Sequence, residues 1–311
     1  MPHVVTVTFS PCIDKSAFVP ALIPEKKLQC STPKLEPGGG GINVARALSR
    51  LGLPSTAIYP SGGYSGKFLD HLMRNENVDA VVIETEKETR ENIIIVDKAN
   101  NNQYRFGMPA NALSEHEWRA CLAAIKRIAE IEFLIVSGSM PPGVPLTVFK
   151  ELAAIARSKK ARFVVDTSGP ALKEAIAHGP YLLKPNLGEL GLLAGIEKIG
   201  AGQVEGTAKA VLKKYNCGVL VVSMGKDGAL LVSNDESFLV RSPEVPRKST
   251  VGAGDSMVAG IIYSLANGRN LKKALQYGVA CGTAATMNEG TELCHKADAD
   301  NLFSMICKQE H

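Results

Sequence analysis

Two periodicities share this chain. Short apolar runs, "VVTVTF", "STAIYP", "FLIVSGS", "ARFVVDTS", "YLLKPN" and "GVLVVSMG", recur along it, separated by stretches of helical period such as "GINVARALSRLG" and "PLTVFKELAAIARSKK". The runs are continuously apolar rather than alternating. That pattern implies strands buried on both faces, hence a mainly parallel sheet with helices on either side. Ser114, with Glu117 three residues on and "EWRACLAAIKRIAEI" behind it, forms a capping box that predicts a helix start. Nothing repeats at the period of a solenoid.

Two segments break the rhythm. Residues 14–35 are rich in Pro and Lys, and Arg90 to Met108, "RENIIIVDKANNNQYRFGM", reads as strand, Asn-rich turn, strand. Neither carries a helix of its own. Together they predict a small sheet added as a lid, and a small sheet with one open face needs a partner: the active site, another subunit, or both. The expected organisation is a single domain over 1–311 with a lid from inserted segments about 14–35 and 90–108.

Composition narrows the class. A hydrophobic content of 45% with 21% charged residues is that of a globular chain, and no apolar run reaches the roughly 18 residues of a membrane span. The start "MPHVVTVTFSPCIDK" lacks the basic, apolar and cleavage regions of a signal peptide, which predicts a cytoplasmic protein without a membrane partner. The formal charge of +4 is spread without a basic block, so nucleic acid is not an expected partner, while an anionic small molecule suits it. The cysteines at 12, 30, 121, 217, 281, 294 and 307 contain no CxxC pair and read as reduced, mostly buried thiols.

Several stretches carry candidate chemistry. "GGYSGKF", Gly62 to Phe68, looks like a P-loop but has Ser61 where the first Gly belongs and Phe68 where Ser or Thr belongs. It reads better as a Gly-rich turn opening the helix "KFLDHLMRNEN". A dinucleotide fold would need GxGxxG after the first strand, and "SPCIDK" stands there instead. In "STVGAGDSMVAGIIYSLANG", the small residues Gly252, Ala253 and Gly254 fall where a buried helix should begin, and free amides at such a start cradle an anion. Asp255 follows in the first turn. By itself this carboxylate is a partner for the helix dipole; beside an anion cradle it is also a base for an attacking hydroxyl, the pairing that phosphoryl transfer requires. In "KPNLGEL", Asn186 and Glu189 lie three apart at a strand-to-helix junction, a spacing that suits either a hydrated Mg²⁺ or helix capping by Asn186.

"TVGAGDSMVAG" resembles the C-terminal signature of the ribokinase-like, or PfkB, carbohydrate kinases, and "PGGGGINVARALSRLG" resembles their N-terminal signature. "SGSMPPG" and "KPNLGEL" fall between them in the family's order, so the resemblance covers essentially the whole chain. It implies an α/β fold of the ribokinase-like kind, a three-layer α/β/α domain with a mainly parallel central sheet and a small β-sheet lid. It also implies an ATP-dependent phosphosugar kinase that works with Mg²⁺. The four-glycine loop with "FSPCIDK", "PEKKLQC" and "NQYRFGMPA" resembles most the branch that converts fructose 6-phosphate to fructose 1,6-bisphosphate. Relatives acting on fructose 1-phosphate or tagatose 6-phosphate commonly carry Lys where this chain has Gly40. Those substrates, and a non-catalytic sugar-phosphate sensor, remain the alternatives.

The resemblance also assigns roles. Asp14, Gly38, Gly39 and Asn43 would meet the sugar, and Asp255 would take the proton of its attacking hydroxyl. The amides of Gly252, Ala253 and Gly254 would stabilise the transferred phosphoryl group. A closing lid would bring Lys27 and Arg90 over the cleft, where cations suit both phosphates. Ser139 in "SGSMPPG" would bind the sugar or its phosphate, or simply belong to a strand-end turn. Lys184, Asn186, Ser223, Gly225 and Gly228 would line the nucleotide site, with Asn186 and Glu189 holding Mg²⁺ through water. Ser249, Val251, Ala285, Asn288 and Gly290 would surround a monovalent cation, potassium. Glu292 and Gln29 stand where relatives have Arg, which bears on the cation-site rim and on the lid. A homodimer through the lids is expected, since the Ile-rich "IIIV" needs cover.

Overall fold

The computed structural model describes residues 3–308. From the N-terminus come β1 (Val4–Val7), β2 (Cys12–Val19), β3 (Lys34–Gly38), α1 (Gly40–Leu51), β4 (Ser55–Gly62), α2 (Gly63–Arg74) and β5 (Asp79–Thr85). The middle of the chain holds β6 (Arg90–Asp97), β7 (Asn102–Phe106), α3 (Glu115–Arg127), β8 (Phe133–Ser137), α4 (Val148–Ser158), β9 (Arg162–Asp166) and α5 (Gly169–Ile176). It closes with β10 (Leu182–Leu183), α6 (Leu187–Ala194), α7 (Val204–Tyr215), β11 (Val219–Ser223), β12 (Ala229–Ser233), β13 (Ser237–Val240), α8 (Ala253–Ala266), α9 (Leu271–Thr286) and α10 (Lys296–Lys308).

Nine strands form the main sheet in the order β13-β12-β11-β10-β9-β8-β1-β4-β5, parallel from β11 to β5 with an antiparallel hairpin at the other edge. Side-chain alternation splits the core into two faces. Val5, Val7, Leu134, Val136, Leu220 and Val222 pack under α3 to α7, whereas Val4, Phe133, Ile135, Val219 and Val221 pack against α1, α8, α9 and α10. This is why the strands read as continuously apolar. The capping box of α3 forms as predicted: Ser114 Oγ accepts from the Glu117 amide at 3.3 Å and Glu117 Oε2 from the Ser114 amide at 2.6 Å. Among the described residues no helix is long and apolar enough to cross a membrane.

The lid is a four-stranded sheet, β3-β2-β6-β7. Its strands begin and end slightly outside the predicted limits: β2 starts at Cys12 and β3 runs on to Gly38, while residues 20–33 have no strand or helix. The register sets Gly38, Cys12 and Arg90 level at the root of the lid, and Glu36, Asp14 and Asn92 one row further out. The helix at "GGYSGKF" starts at Gly63, and its first amides are already engaged: Tyr64 and Ser65 each donate to the Glu88 carboxylate at 3.0 Å. Those amide bonds hold the Glu88 carboxyl below its usual range. The chain's own anion occupies the P-loop look-alike.

Candidate active site

Parallel strands expose their carboxyl ends along one edge, where open α/β sheets hold ligands. Here β9 ends at Asp166, β10 leads into Lys184 and β11 ends at Ser223. Lys184 Nζ pairs with Asp166 Oδ1 at 3.1 Å, and both groups are largely removed from water. Burial alone would push the Lys184 ammonium down, but the charge and hydrogen bond of Asp166, with Asp255 and Glu189 beyond, keep it above the usual range. The Lys184 ammonium lies beside the start of α8, since a Cβ on Gly254 would be 3.4 Å from Nζ.

The first amide bonded inside α8 is that of Ser256, which donates to Gly252 O at 2.8 Å. The amides of Ala253, Gly254 and Asp255 precede it, free of helical partners, and Ala253 and Gly254 are two of the three residues expected to form an anion cradle. Asp255 has intermediate exposure as a residue, but its carboxyl is enclosed. Desolvation foremost, then the charges of Asp166 and Asp14, push it up to about 6 against the Asn43 hydrogen bond and the Lys184 charge. Asn43 Nδ2 donates to Asp255 Oδ2 at 2.9 Å.

The sugar-side candidates gather around α1 and the lid root. Gly39 has φ of 110°, a left-handed conformation that favours glycine, and a Cβ on Gly40 would sit 2.6 Å from Gly138 N. The glycine loop therefore lies against the end of β8, whose next residue but one, Ser139, is exposed. Asp14 is buried, accepting from Asn92 Nδ2 at 2.9 Å and from the Cys12 thiol at 3.4 Å. Burial and the Asp14 charge push that thiol well up, so it stays a neutral donor. Arg90 is anchored to Ser10 O at 3.2 Å, Met108 O at 3.1 Å and Asn92 Oδ1 at 3.2 Å.

Lys27 is expected over the cleft only when the lid closes. It is exposed in the 20–33 loop and bonds to no described residue, so Arg90 alone of the two expected cations stands at the cleft. Asn186 and Glu189 do meet, as a reciprocal capping box on α6 with both bonds at 2.9 Å. Glu189 keeps Oε1 outside the cap, whereas the single side-chain oxygen of Asn186 is the cap acceptor. Desolvation, partly offset by the Asn186 amide, raises the Glu189 carboxyl. Asn186 also bridges to Ser223, and Gly225 and Gly228 flank the turn after β11. Further along, Ser249 Oγ lies 2.6 Å from Gly290 O, Val251 N donates to Ser249 Oγ at 3.2 Å, and Ala285 O accepts from Asn288 N at 3.2 Å. These neutral oxygens are of the kind a monovalent cation takes. Glu292 finds a new partner in Lys34 of β3, at 2.7 Å.

The sequence reading missed Asp166, Asn92 and Arg46. Asp166 carried a signal, a carboxylate ending the apolar run "ARFVVD"; Asn92 and Arg46 acquire meaning only from the lid register and from burial.

Residues 5–298 match the pfkB family carbohydrate kinase, and the chain belongs to that family. Within it, the chain is 40% identical over 309 residues to the ATP-dependent 6-phosphofructokinase isozyme 2 of Escherichia coli strain K12, covering 99% of this chain and 100% of that one. The crystal structure of phosphofructokinase-2 from E. coli in complex with potassium superposes with a TM-score of 0.94 at 40% identity, over 99% of this chain and 100% of the other. The same enzyme in complex with fructose-6-phosphate gives a TM-score of 0.93 at 38% identity, with the same coverage. The fold is therefore the ribokinase-like α/β fold with a small lid sheet.

Proposed function

We propose that this carbohydrate kinase transfers the γ-phosphoryl group of ATP to the 1-hydroxyl of fructose 6-phosphate, giving fructose 1,6-bisphosphate and ADP. One observation carries the reading: an enclosed carboxylate, Asp255, sits in the first turn of α8 next to that helix's free amides. A base for the hydroxyl and a cradle for phosphoryl charge then occupy one place. The full-length likeness to a 6-phosphofructokinase supports the choice of sugar phosphate.

Asp255 takes the proton of the attacking hydroxyl, and the amides from Gly252 to Gly254 receive the developing phosphoryl charge, backed by the Lys184 ammonium. Asp14, Gly38, Gly39 and Asn43 hold the sugar, while Arg90 and Ser139 meet its phosphate; Lys27 joins them only if the 20–33 loop closes. The nucleotide lies along Lys184, Asn186, Ser223, Gly225 and Gly228. Glu189 Oε1, outside the cap, and Asn186 Oδ1, whose second lone pair the cap leaves open, suit a hydrated Mg²⁺, which would supply charge neutralisation on the phosphates when bound. The oxygens around Ser249, Val251, Ala285, Asn288 and Gly290 would hold potassium. The exposed lid side chains Phe18, Ile93, Tyr104 and Phe106 support a homodimer through the lids, in a single-domain cytoplasmic enzyme.

The test is ADP release with MgATP against fructose 6-phosphate, fructose 1-phosphate and tagatose 6-phosphate, with and without potassium, using Asp255→Asn as the blank. Fructose 6-phosphate should dominate and its rate should fall by roughly 10² to 10⁴ in Asp255→Asn. A higher kcat/KM on another phosphosugar would overturn the substrate assignment.

A further inference from the structure

α1 carries a fully buried arginine that none of these roles uses. Arg46 is 1% exposed, and a guanidinium removed from water needs partners for its donors. Nη1 donates to Pro37 O at 2.8 Å and to Asn43 Oδ1 at 3.4 Å; Nη2 donates to Glu76 Oε1 at 2.7 Å and to Glu36 Oε1 at 3.4 Å. The arginine thus joins the lid strand β3, the turn after α2, and the side chain that touches Asp255.

The two ends of the Asn43 carboxamide are chemically unlike. A cation on Oδ1 leaves Nδ2 to face Asp255, whereas a reversed amide would set oxygen against oxygen. We propose that Arg46 is a positioning residue for phosphoryl transfer: by holding Asn43 Oδ1 it fixes the amide as a donor to Asp255 Oδ2, leaves Asp255 Oδ1 to take the proton, and ties this arrangement to β3. The inference rests on Asp255 being the base.

The charged surroundings set the sign of the effect. Asp255 faces Asp14 from β2, Asp166 from β9, Lys184 after β10 and Asn43 from α1. Arg46 faces Glu36 and Glu76, with Lys34 and Arg50 beside those carboxylates. Desolvation and the two aspartates favour the protonated base, and the Asn43 donor opposes them. Freeing the amide therefore makes Asp255 harder to ionise.

The test is steady-state kinetics of the full chain bearing Arg46→Lys, from pH 5 to 8.5, with thermal unfolding followed in parallel. Lysine keeps a positive charge between Glu36 and Glu76 but has one compact head and cannot also span Pro37 and Asn43. We expect kcat to fall roughly tenfold to a hundredfold, KM for either substrate to change by less than about threefold, and the acid limb of kcat/KM to move up by about half a unit to one unit. Glu76→Gln weakens the same network on the side away from Asn43 and should lower Tm without moving the limb. If Arg46→Lys lowers Tm in the same way while kcat and the limb stay put, Arg46 is only a structural ion and the proposal falls. Should Arg46→Lys not fold, Arg46→Met combined with Glu76→Gln removes the charges as a pair and is read by the same criteria. An Asp255→Asn protein with wild-type turnover would overturn the base reading and this inference together; collapse of Asp255→Asn with an inert Arg46→Lys overturns this inference alone.

Discussion

Replacing Asp255 by Asn should cut turnover by roughly 10² to 10⁴ and make the protein more stable. The carboxyl is pushed from 3.8 to about 6, net of the opposing attraction of Lys184 and the Asn43 hydrogen bond. A raised acid pKa means that folding favours the proton, so the associated stability is fully present below about 3.8 and is lost as pH rises through about 6. A shift of about two units corresponds to roughly 3 kcal/mol in the folded state at pH 7 and above. Asn has the same shape and no charge to bury. Urea or thermal unfolding of wild type and Asp255→Asn, at matched protein concentration from pH 4 to 8, should show curves that nearly coincide at pH 4. They should separate in favour of the variant up to about pH 6.5 and then run parallel. For a chain of this length the gap is roughly 4 to 5 °C in Tm. The wild-type kcat/KM should fall about tenfold per unit below pH 6, because the protonated base cannot accept the hydroxyl proton. A pH-independent gap, or a more stable wild type at pH 8, would refute the claim that this carboxylate is ionised at a cost.

Other substitutions test separate parts of the site. Gly40→Ala would press a methyl group against Gly138 N, and relieving a 2.6 Å approach needs a shift of about 0.8 Å beside Ser139; kcat/KM for the sugar phosphate should drop roughly tenfold to a hundredfold, while nucleotide KM holds. Lys184→Met leaves Asp166 buried without its cation, so unfolding measurements should show a loss of about 3 to 5 kcal/mol and the acid limb should move above pH 6. A double-mutant cycle on Lys34 and Glu292 should give a coupling below about 1 kcal/mol that fades in high salt, since Lys34 is half exposed. Glu88→Ala should lower Tm and leave nucleotide KM unchanged, because the amides it caps lie outside the nucleotide site.

What could be read in advance was whatever chemistry sits on one continuous element. Gly252 to Asp255 announced a helix start because small residues precede an apolar helical run, and Ser114 with Glu117 announced another because both caps are local. The pair Lys184 and Asp166 was hidden, since α5 lies between them in sequence and only the order of the parallel sheet brings their strand ends together. Arg46 falls on α1 where a charge ordinarily marks a solvent face; β3 and Glu76 cover it. Lys27 lies in a stretch without periodicity, so no local pattern dictates where the backbone carries it. Glu292 looked like a departure at the cation-site rim until Lys34, on a distant strand, supplied its counter-charge.

The roots of the lid are also its proposed sugar contacts. The chain leaves the main sheet after β1 and enters the lid at Cys12 of β2, two residues before Asp14; β3 returns through Gly38 and Gly39, β6 begins at Arg90, and the segment after β7 passes Met108, whose carbonyl holds Arg90. Root and proposed ligand contact are therefore inherited together. A substitution that reshapes the root of the lid also alters a group proposed to meet the sugar, so that a lineage changing those contacts reshapes the root in the same step. Transplanting the lid strands between relatives would carry the root and the proposed sugar contacts as one cassette.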